Sequence, residues 1–270
     1  FKIILNATFG LSKSKYSFLY DPEFLFRITI NGQLLLSMLY EQIMLGIPTA
    51  KAIMQNTDGC EFLIDDKDIP KFDEICKKWE AATKLKLESD EYSKMIVRDV
   101  NNYIAVYKNP KKQPKCKGFF EWENLPLHKN KSFLVVSKAI YEYFINGTQP
   151  EKYLASNRNI YDYVGGSKLK GDWLFYSQSV ENSTFEEKKL QKLVRYYISN
   201  SGIKMIKRHS DGREIQLEAG KWMQTLLNKY EWKPWEDYNI DNRYYLEKIY
   251  KEISNIETGS IKPTTQLTLF

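Results

Sequence analysis

Residues 21–46 place the strongest limit on what this chain can fold into. Asp21 followed by Pro22 reads as a helix N-cap with proline at the first helical position, and Gly46 after Met44 and Leu45 reads as the matching stop. Between them Phe24, Phe26, Ile28, Ile30, Leu34, Leu35, Met38, Leu39 and Ile43 leave little polar face, so the spacing predicts a long, largely buried helix. Glu23, Arg27, Asn31, Gln33 and Glu41 interrupt the run, which makes it a core element and not a membrane one. Such a helix needs a core around it. The 270 residues, 43% hydrophobic and 14% aromatic, are enough for one large domain or two modest ones.

Past a turn at Pro48, residues 50–55 and Cys60 to Ile64 are strand-like runs separated by Asn56, Thr57, Asp58 and Gly59, all strong turn formers. The pattern predicts a β-hairpin with Asp58 at its tip. Phe72, Ile75, Cys76, Trp79 and Ala82 then recur at helical spacing among charges, an amphipathic helix suited to cover a sheet. Two further strands are expected near Met95 to Val97 and Tyr103 to Tyr107. From about Pro126 the texture shifts to helical segments rich in Lys, Tyr and Trp, with a hairpin turning at Ser210, Asp211 and Gly212. A domain boundary is expected near residue 125. The last residues, 258–270, combine Gly, Ser, Pro and Thr with an apolar ending and read as a flexible tail with a sticky tip.

Forty Lys plus Arg against thirty-four Asp plus Glu give a formal charge of +6, a mildly basic balance that suits a polyanion partner without requiring one. Cys60, Cys76 and Cys116 are widely spaced and odd in number, so neither a disulfide framework nor a zinc knuckle is suggested. No run of about eighteen apolar residues is present, and the start does not read as a signal peptide. The expectation is a soluble protein of a reducing, cytoplasmic compartment with no membrane partner. The chain opens at Phe1 inside an apolar run, which raises the expectation that a segment lies upstream.

Residues 2–10, KIILNATFG, carry the first chemical signal. Lys2 and Asn6 lie four apart, placing an ammonium and an amide on one helical face. The segment resembles the fingers-helix motif K-x-x-x-N-S-x-Y-G of family-B, phage-type DNA polymerases. Lys2, Asn6 and Gly10 fall in register, while Ala7 stands for the usual Ser and Phe9 for the usual Tyr. About fifty residues on, the segment from Met54 to Phe62 resembles that family's second metal-binding motif, D-T-D-S on a palm hairpin. Asp58 aligns with the metal-ligating aspartate and Thr57 with its neighbour, while Asn56 replaces the first Asp and Gly59 the Ser. A hairpin tip can expose a carboxylate to a hard Mg²⁺ ion. As an isolated tetrapeptide, the same residues are equally an ordinary Asp-Gly turn.

Two fainter echoes follow. Tyr103 matches the tyrosine of a basic-x-Tyr primer-contacting motif, with Asn101 and Asn102 in place of lysines, and Lys117 with Gly118 resembles the basic turn after it. The region beyond 126 would correspond to the thumb, which grips duplex by its backbone. There Lys204, Lys207 and Arg208 form a candidate phosphate-contacting strip. Gln266, Leu267, Leu269 and Phe270 resemble the Q-L-x-L-F peptide by which bacterial-type polymerases hold a sliding clamp, anchoring apolar side chains in pockets.

The resemblance implies an α+β chain with an antiparallel palm sheet and packed helices, followed by a mostly α-helical thumb. Its parts would be the end of the fingers over 1–20, the palm over 21–125, the thumb over 126–257 and a clamp-binding tail over 258–270. It implies DNA-directed DNA polymerisation by two Mg²⁺ ions, with Asp58 catalytic, Lys2, Asn6 and Phe9 at the dNTP, and primer-template DNA held by Thr57, Tyr103, Lys117, Lys204, Lys207 and Arg208. The second carboxylate of this family lies in an upstream D-x-x-S-L-Y-P-S motif, which nothing here resembles, so an N-terminal polymerase half is the expected partner and the chain alone is expected to be inactive. The setting implied is the cytoplasm of a bacterium or phage-infected cell. A noncatalytic DNA-binding or clamp-tethering module descended from a polymerase is the alternative. A reverse transcriptase ranks third, because its paired-aspartate hairpin would put Asp where Gly59 stands.

Overall fold

A computed structural model describes residues 2–57, 59–123, 132–181, 184–226, 233–259 and 267–269. They fall into two compact units, one built from residues 1–116 and 261–270 and the other from 117–260. The division at 116 lies a little before the boundary expected near 125. Among the described residues no helix is long and apolar enough to cross a membrane.

The first unit begins with helix α1 (Lys2–Ser12) and helix α2 (Pro22–Gly46). The Asp21 carboxylate accepts the Phe24 backbone N–H at 2.9 Å, the cap that the sequence forecasts. Strands β1 (Lys51–Gln55) and β2 (Cys60–Leu63), helix α3 (Ile69–Thr83) and strands β3 (Asp90–Asp99), β4 (Asn102–Tyr107) and β5 (Lys115–Cys116) follow. Side chains alternate across the sheet. Cys60 and Phe62 point into a core with Leu36, Leu39 and Ile43 of α2 and Phe72, Ile75 and Trp79 of α3. Met54, Leu63, Tyr92, Tyr103 and Ala105 form a second cluster. The Trp79 indole N–H donates to the Leu35 carbonyl at 2.9 Å and ties α3 to α2.

Only half of α2 behaves as its sequence suggests. Leu36, Leu39 and Ile43 are buried, whereas the N-terminal half leaves Phe24, Phe26, Ile28, Ile30 and Leu34 exposed. The expectation of a largely buried helix is therefore corrected. Apolar residues lie on more than one side of this half, and the described chain builds no core around it.

In the second unit come α4 (Leu134–Asn146), α5 (Pro150–Ser156) and α6 (Ile160–Tyr163), then seven strands, then α7 (Asn242–Gly259). The strands are β6 (Gly165–Lys168), β7 (Trp173–Glu181), β8 (Thr184–Leu190), β9 (Leu193–Ser199), β10 (Lys204–His209), β11 (Glu214–Gln216) and β12 (Trp222–Thr225). They form two antiparallel sheets, ordered β11-β10-β7-β8 and β12-β9-β6. A mostly helical second domain is thus not what the chain builds. Aromatic and β-branched residues in Leu193–Ser199 and Trp173–Glu181 favour a pleated, half-buried surface, and that preference prevails over the lysine-rich texture. The β10–β11 hairpin does turn at the expected residues, with Gly212 at φ 90°.

Tyr245 on α7 fastens this unit from within. Its hydroxyl accepts the Ile198 N–H of β9 at 2.9 Å and donates to the Tyr163 carbonyl at the end of α6 at 2.8 Å. Lys138 on α4 and buried Asp162 on α6 pair at 2.8 Å, and Asn157 donates to the other Asp162 oxygen at 3.0 Å.

Strand β13 (Leu267–Leu269) belongs to the first unit and completes a six-stranded order β1-β2-β13-β3-β4-β5. It runs antiparallel to both neighbours, with Leu267 opposite Leu63 and Tyr92, so β2 and β3 are parallel to each other. They are joined through α3, a split β-α-β unit whose gap β13 fills.

Candidate functional site

The proposed metal-binding hairpin forms where the sequence places it. Lys51 to Gln55 pair with Cys60 to Leu63, and the Asn56 N–H donates to the Gly59 carbonyl at 2.9 Å to close the loop. Thr57 is exposed at its end, while Gly59 and Cys60 are buried, so the loop projects from a fixed base. Asp58 itself lies outside the described residues.

Sequence reasoning passed over Glu61. This carboxylate is only 3% exposed, on a strand that is buried on both faces. Its spacing within an apolar run was the available signal, since a lone acid among Cys60, Phe62 and Leu63 is costly to bury without purpose. Burial, followed by the nearby Glu61 charge, pushes the Cys60 thiol up to about 12. Among the described residues no group of three or more His, Cys, Asp or Glu could hold a metal ion.

Lys2, Asn6 and Phe9 share α1, confirming the helical register that their spacing requires. The Lys2 side chain lies outside the description; Asn6 is exposed and Phe9 is 39% exposed. Two groups of candidate residues result, one on α1 and one at the hairpin end, with α2 between them in the chain.

Tyr103 lies inside the sheet, 5% exposed, among Met54, Leu63 and Tyr92, so its ring serves the core. Lys117 is exposed and precedes a tight turn over Gly118–Phe120, where Gly118 takes φ 60°. In the lysine run before it, Lys112 approaches Asp90 at 3.3 Å and lies over the Tyr107 ring at 4.6 Å. Lys108 lies 3.5 Å from Glu91. These five residues line a surface pocket of about 390 Å³.

Lys204, Lys207 and Arg208 all fall on β10, but not as one strip. Strand alternation puts Lys204 and Arg208 on one face and Lys207 on the other. Arg208 is already engaged: its guanidinium makes two 2.9 Å bonds to Glu187, a further one to Glu214, and lies 4.3 Å from the Tyr176 ring centre. The Arg208 hydrogen bonds hold the Glu187 carboxyl below its usual range. Lys204 lies over Trp222 at 5.0 Å.

Leu267 and Leu269 are in β13, and Gln266 and Phe270 lie outside the described residues. Backbone groups paired to β2 and β3 cannot at the same time lie extended in a clamp pocket. No protein-family model matches the chain, and no similar curated protein or solved structure is found.

Proposed function

We propose that this chain is the C-terminal part of a family-B DNA-directed DNA polymerase, with the end of the fingers and the palm in the first unit and the thumb in the second. The observation that carries the reading is the β1–β2 hairpin. Exposed Thr57, the sequence neighbour of Asp58, lies at the end of a hairpin whose strands are backed by two helices, downstream of a helix that presents Asn6 and Phe9. A rigid hairpin end is a suitable mount for a carboxylate that must keep its place during catalysis.

In this reading Lys2 and Asn6 contact the incoming triphosphate, Phe9 packs beside the nascent base pair, and Thr57 and Lys117 lie along primer-template DNA. The described residues do not by themselves fit a metal ion, so two Mg²⁺ would require Asp58 together with a carboxylate from outside this chain. The engaged state of Arg208 shifts any phosphate contact in the second unit towards Lys204 and Lys207. Clamp binding by the tail would require β13 to leave its sheet. The setting is a cytoplasm where replication occurs.

A noncatalytic DNA-binding or sliding-clamp-tethering module derived from a polymerase is the second reading. Primer extension separates the two. The chain, mixed with an N-terminal half that carries D-x-x-S-L-Y-P-S, is expected to extend a primed template with dNTPs and Mg²⁺ only when both polypeptides are present. DNA binding without extension by the mixture would leave the second reading.

A further inference from the structure

The corner of the second unit where the β6–β7 loop meets the β8–β9 turn gathers lysines that no acid answers. The Leu169 N–H donates to the Lys192 carbonyl at 2.9 Å, and the Lys192 ammonium donates to the Gly171 carbonyl at 2.8 Å. Gly171 takes φ 62°, a left-handed turn that glycine enters without strain. These bonds fix the two loops to each other. Lys168 and Lys170 flank Leu169, and Lys189 stands three residues before Lys192 at the end of β8, so four ammonium groups share one corner. All four side chains are exposed, while Leu169 between the first two is buried and anchors the loop.

Elsewhere the unit pairs its cations. Lys138 meets Asp162, Lys221 meets Asp241, Arg208 meets Glu187 and Arg213 meets Asp211, each within 2.9 Å. Among the described residues Lys168, Lys170 and Lys189 form no ion pair, and neither does Asp172, the acid of the β6–β7 loop. The imbalance is local: residues 165–213 hold ten Lys plus Arg against five Asp plus Glu, and the rest of 117–260 twelve against fourteen. Like charges held together repel, a cost that a bound polyanion removes.

One small anion would need donors converging on a buried point, whereas these ammonium groups are exposed on two loops and can each meet a separate charge. A membrane would need exposed apolar side chains around the lysines, and across 165–172 and 187–193 Leu193 is the only large one exposed. Single-stranded nucleic acid is held by stacking bases on aromatic rings, and those residues include none. The next ring along, Trp173, is already stacked with His209 at 4.9 Å and Arg213 at 5.9 Å. The spaced phosphates of a duplex, held by their charge alone, fit what remains.

We infer that this corner is a seat for the phosphate backbone of double-stranded DNA. Lys168, Lys170 and Lys189 are the contacting groups, and Lys192 fixes the loops that carry them. The choice of DNA rests on the function proposed above, and the seat gives the second unit a grip that the engaged Arg208 does not supply.

The test is Lys168→Gln, Lys170→Gln and Lys189→Gln together in the full chain, titrated with a short blunt DNA duplex over a range of salt. Lys152→Gln, Lys233→Gln and Lys251→Gln together remove the same charge from exposed positions elsewhere in the unit and are the control. Each phosphate contact contributes about 0.9 to the slope of log affinity against log salt. The first variant is therefore expected to lower that slope by roughly 2–3 and the low-salt affinity by at least about tenfold, while the control tracks the native chain. All six side chains are exposed, so circular dichroism should be unchanged in both variants. An unchanged slope in the first variant overturns the inference. So does an equal loss in the control, or flotation on phosphatidylserine vesicles that the first variant abolishes while duplex affinity stays intact. If the three lysines carry duplex affinity but the native chain with its D-x-x-S-L-Y-P-S half extends no primer, the seat stands and the polymerase reading falls. Extension by that native pair, with duplex affinity untouched by the three substitutions, does the reverse.

Discussion

Replacing Tyr245 by Phe removes one oxygen and leaves the packing volume almost unchanged, so its cost isolates the hydrogen bonds. The hydroxyl is fully buried, accepts the Ile198 N–H at 2.9 Å and donates to the Tyr163 carbonyl at 2.8 Å. Without it a β9 backbone donor is left in the interior beside a carbonyl that has lost its partner. An unsatisfied buried donor costs about 1–3 kcal/mol, and the carbonyl adds less because it keeps a second lone pair. The expected loss is about 2–3 kcal/mol, or roughly 6–10 °C in the midpoint of a unit of this size. Urea unfolding followed by circular dichroism measures it. Tyr250→Phe is the reference, since its hydroxyl bonds Glu151 at 2.8 Å on the exposed side of the same helix and should cost no more than about 0.5 kcal/mol. A Tyr245→Phe variant as mild as Tyr250→Phe would refute the view that α7 is pinned through this hydroxyl.

Other expectations follow from single features. A Cβ at Gly165 would sit 2.7 Å from two ring atoms of Phe133 and 3.3 Å from Tyr196, so Gly165→Ala should cost about 1–3 kcal/mol by thermal melting, whereas Gly10→Ala, with open space around it, should be neutral or stabilising. Burial pushes the Cys60 and Cys76 thiols up to about 12, so a disulfide exchange reagent at neutral pH should label half-buried Cys116 first and reach the other two only as the protein unfolds. The same burial raises Tyr153 and Tyr197 to about 12. These groups are neutral in both states below pH 9; above it the unfolded chain loses protons that the folded one keeps, so the urea midpoint should hold below pH 9 and fall between about 9 and 12. Finally, a synthetic peptide of residues 261–270 should bind a bacterial sliding clamp more tightly than the intact chain does, because β13 must first leave β2 and β3; equal affinity would show that it leaves at no cost.

Local chemistry made much of the first unit legible. The Asp21 cap, Pro22 and Gly46 fix α2, the turn formers 56–59 fix the hairpin, and the spacing of Phe72, Ile75, Cys76 and Trp79 fixes α3. What periodicity does not carry is which apolar residues the fold covers. Phe26, Ile30 and Leu34 read as core by composition, and only the structure shows that the described residues leave them largely exposed. Thr184–Leu190 was hidden for a different reason: it is an edge strand with no buried residue, so it carries Glu186, Glu187, Lys188 and Lys189 in succession and shows none of the alternation that betrays a strand. The candidate strip on β10 failed as a single surface because strand period separates Lys207 from Lys204 and Arg208. Cross-strand carboxylates then claim Arg208, a pairing between residues 21 apart that no local pattern announces. Glu61 was visible only as an acid out of place.

The central claim is that the end of the β1–β2 hairpin carries a reacting carboxylate. The direct measurement is the single-turnover rate of primer extension by the chain together with its N-terminal half, comparing Asp58→Asn with the native protein and with Glu61→Gln. Loss of a metal-binding carboxylate removes several kcal/mol of transition-state stabilisation, so Asp58→Asn is expected to slow extension by roughly a thousandfold or more while DNA affinity changes little. Extension by Asp58→Asn at the native rate would contradict the account, and a large loss confined to Glu61→Gln would move the carboxylate from the loop to the strand.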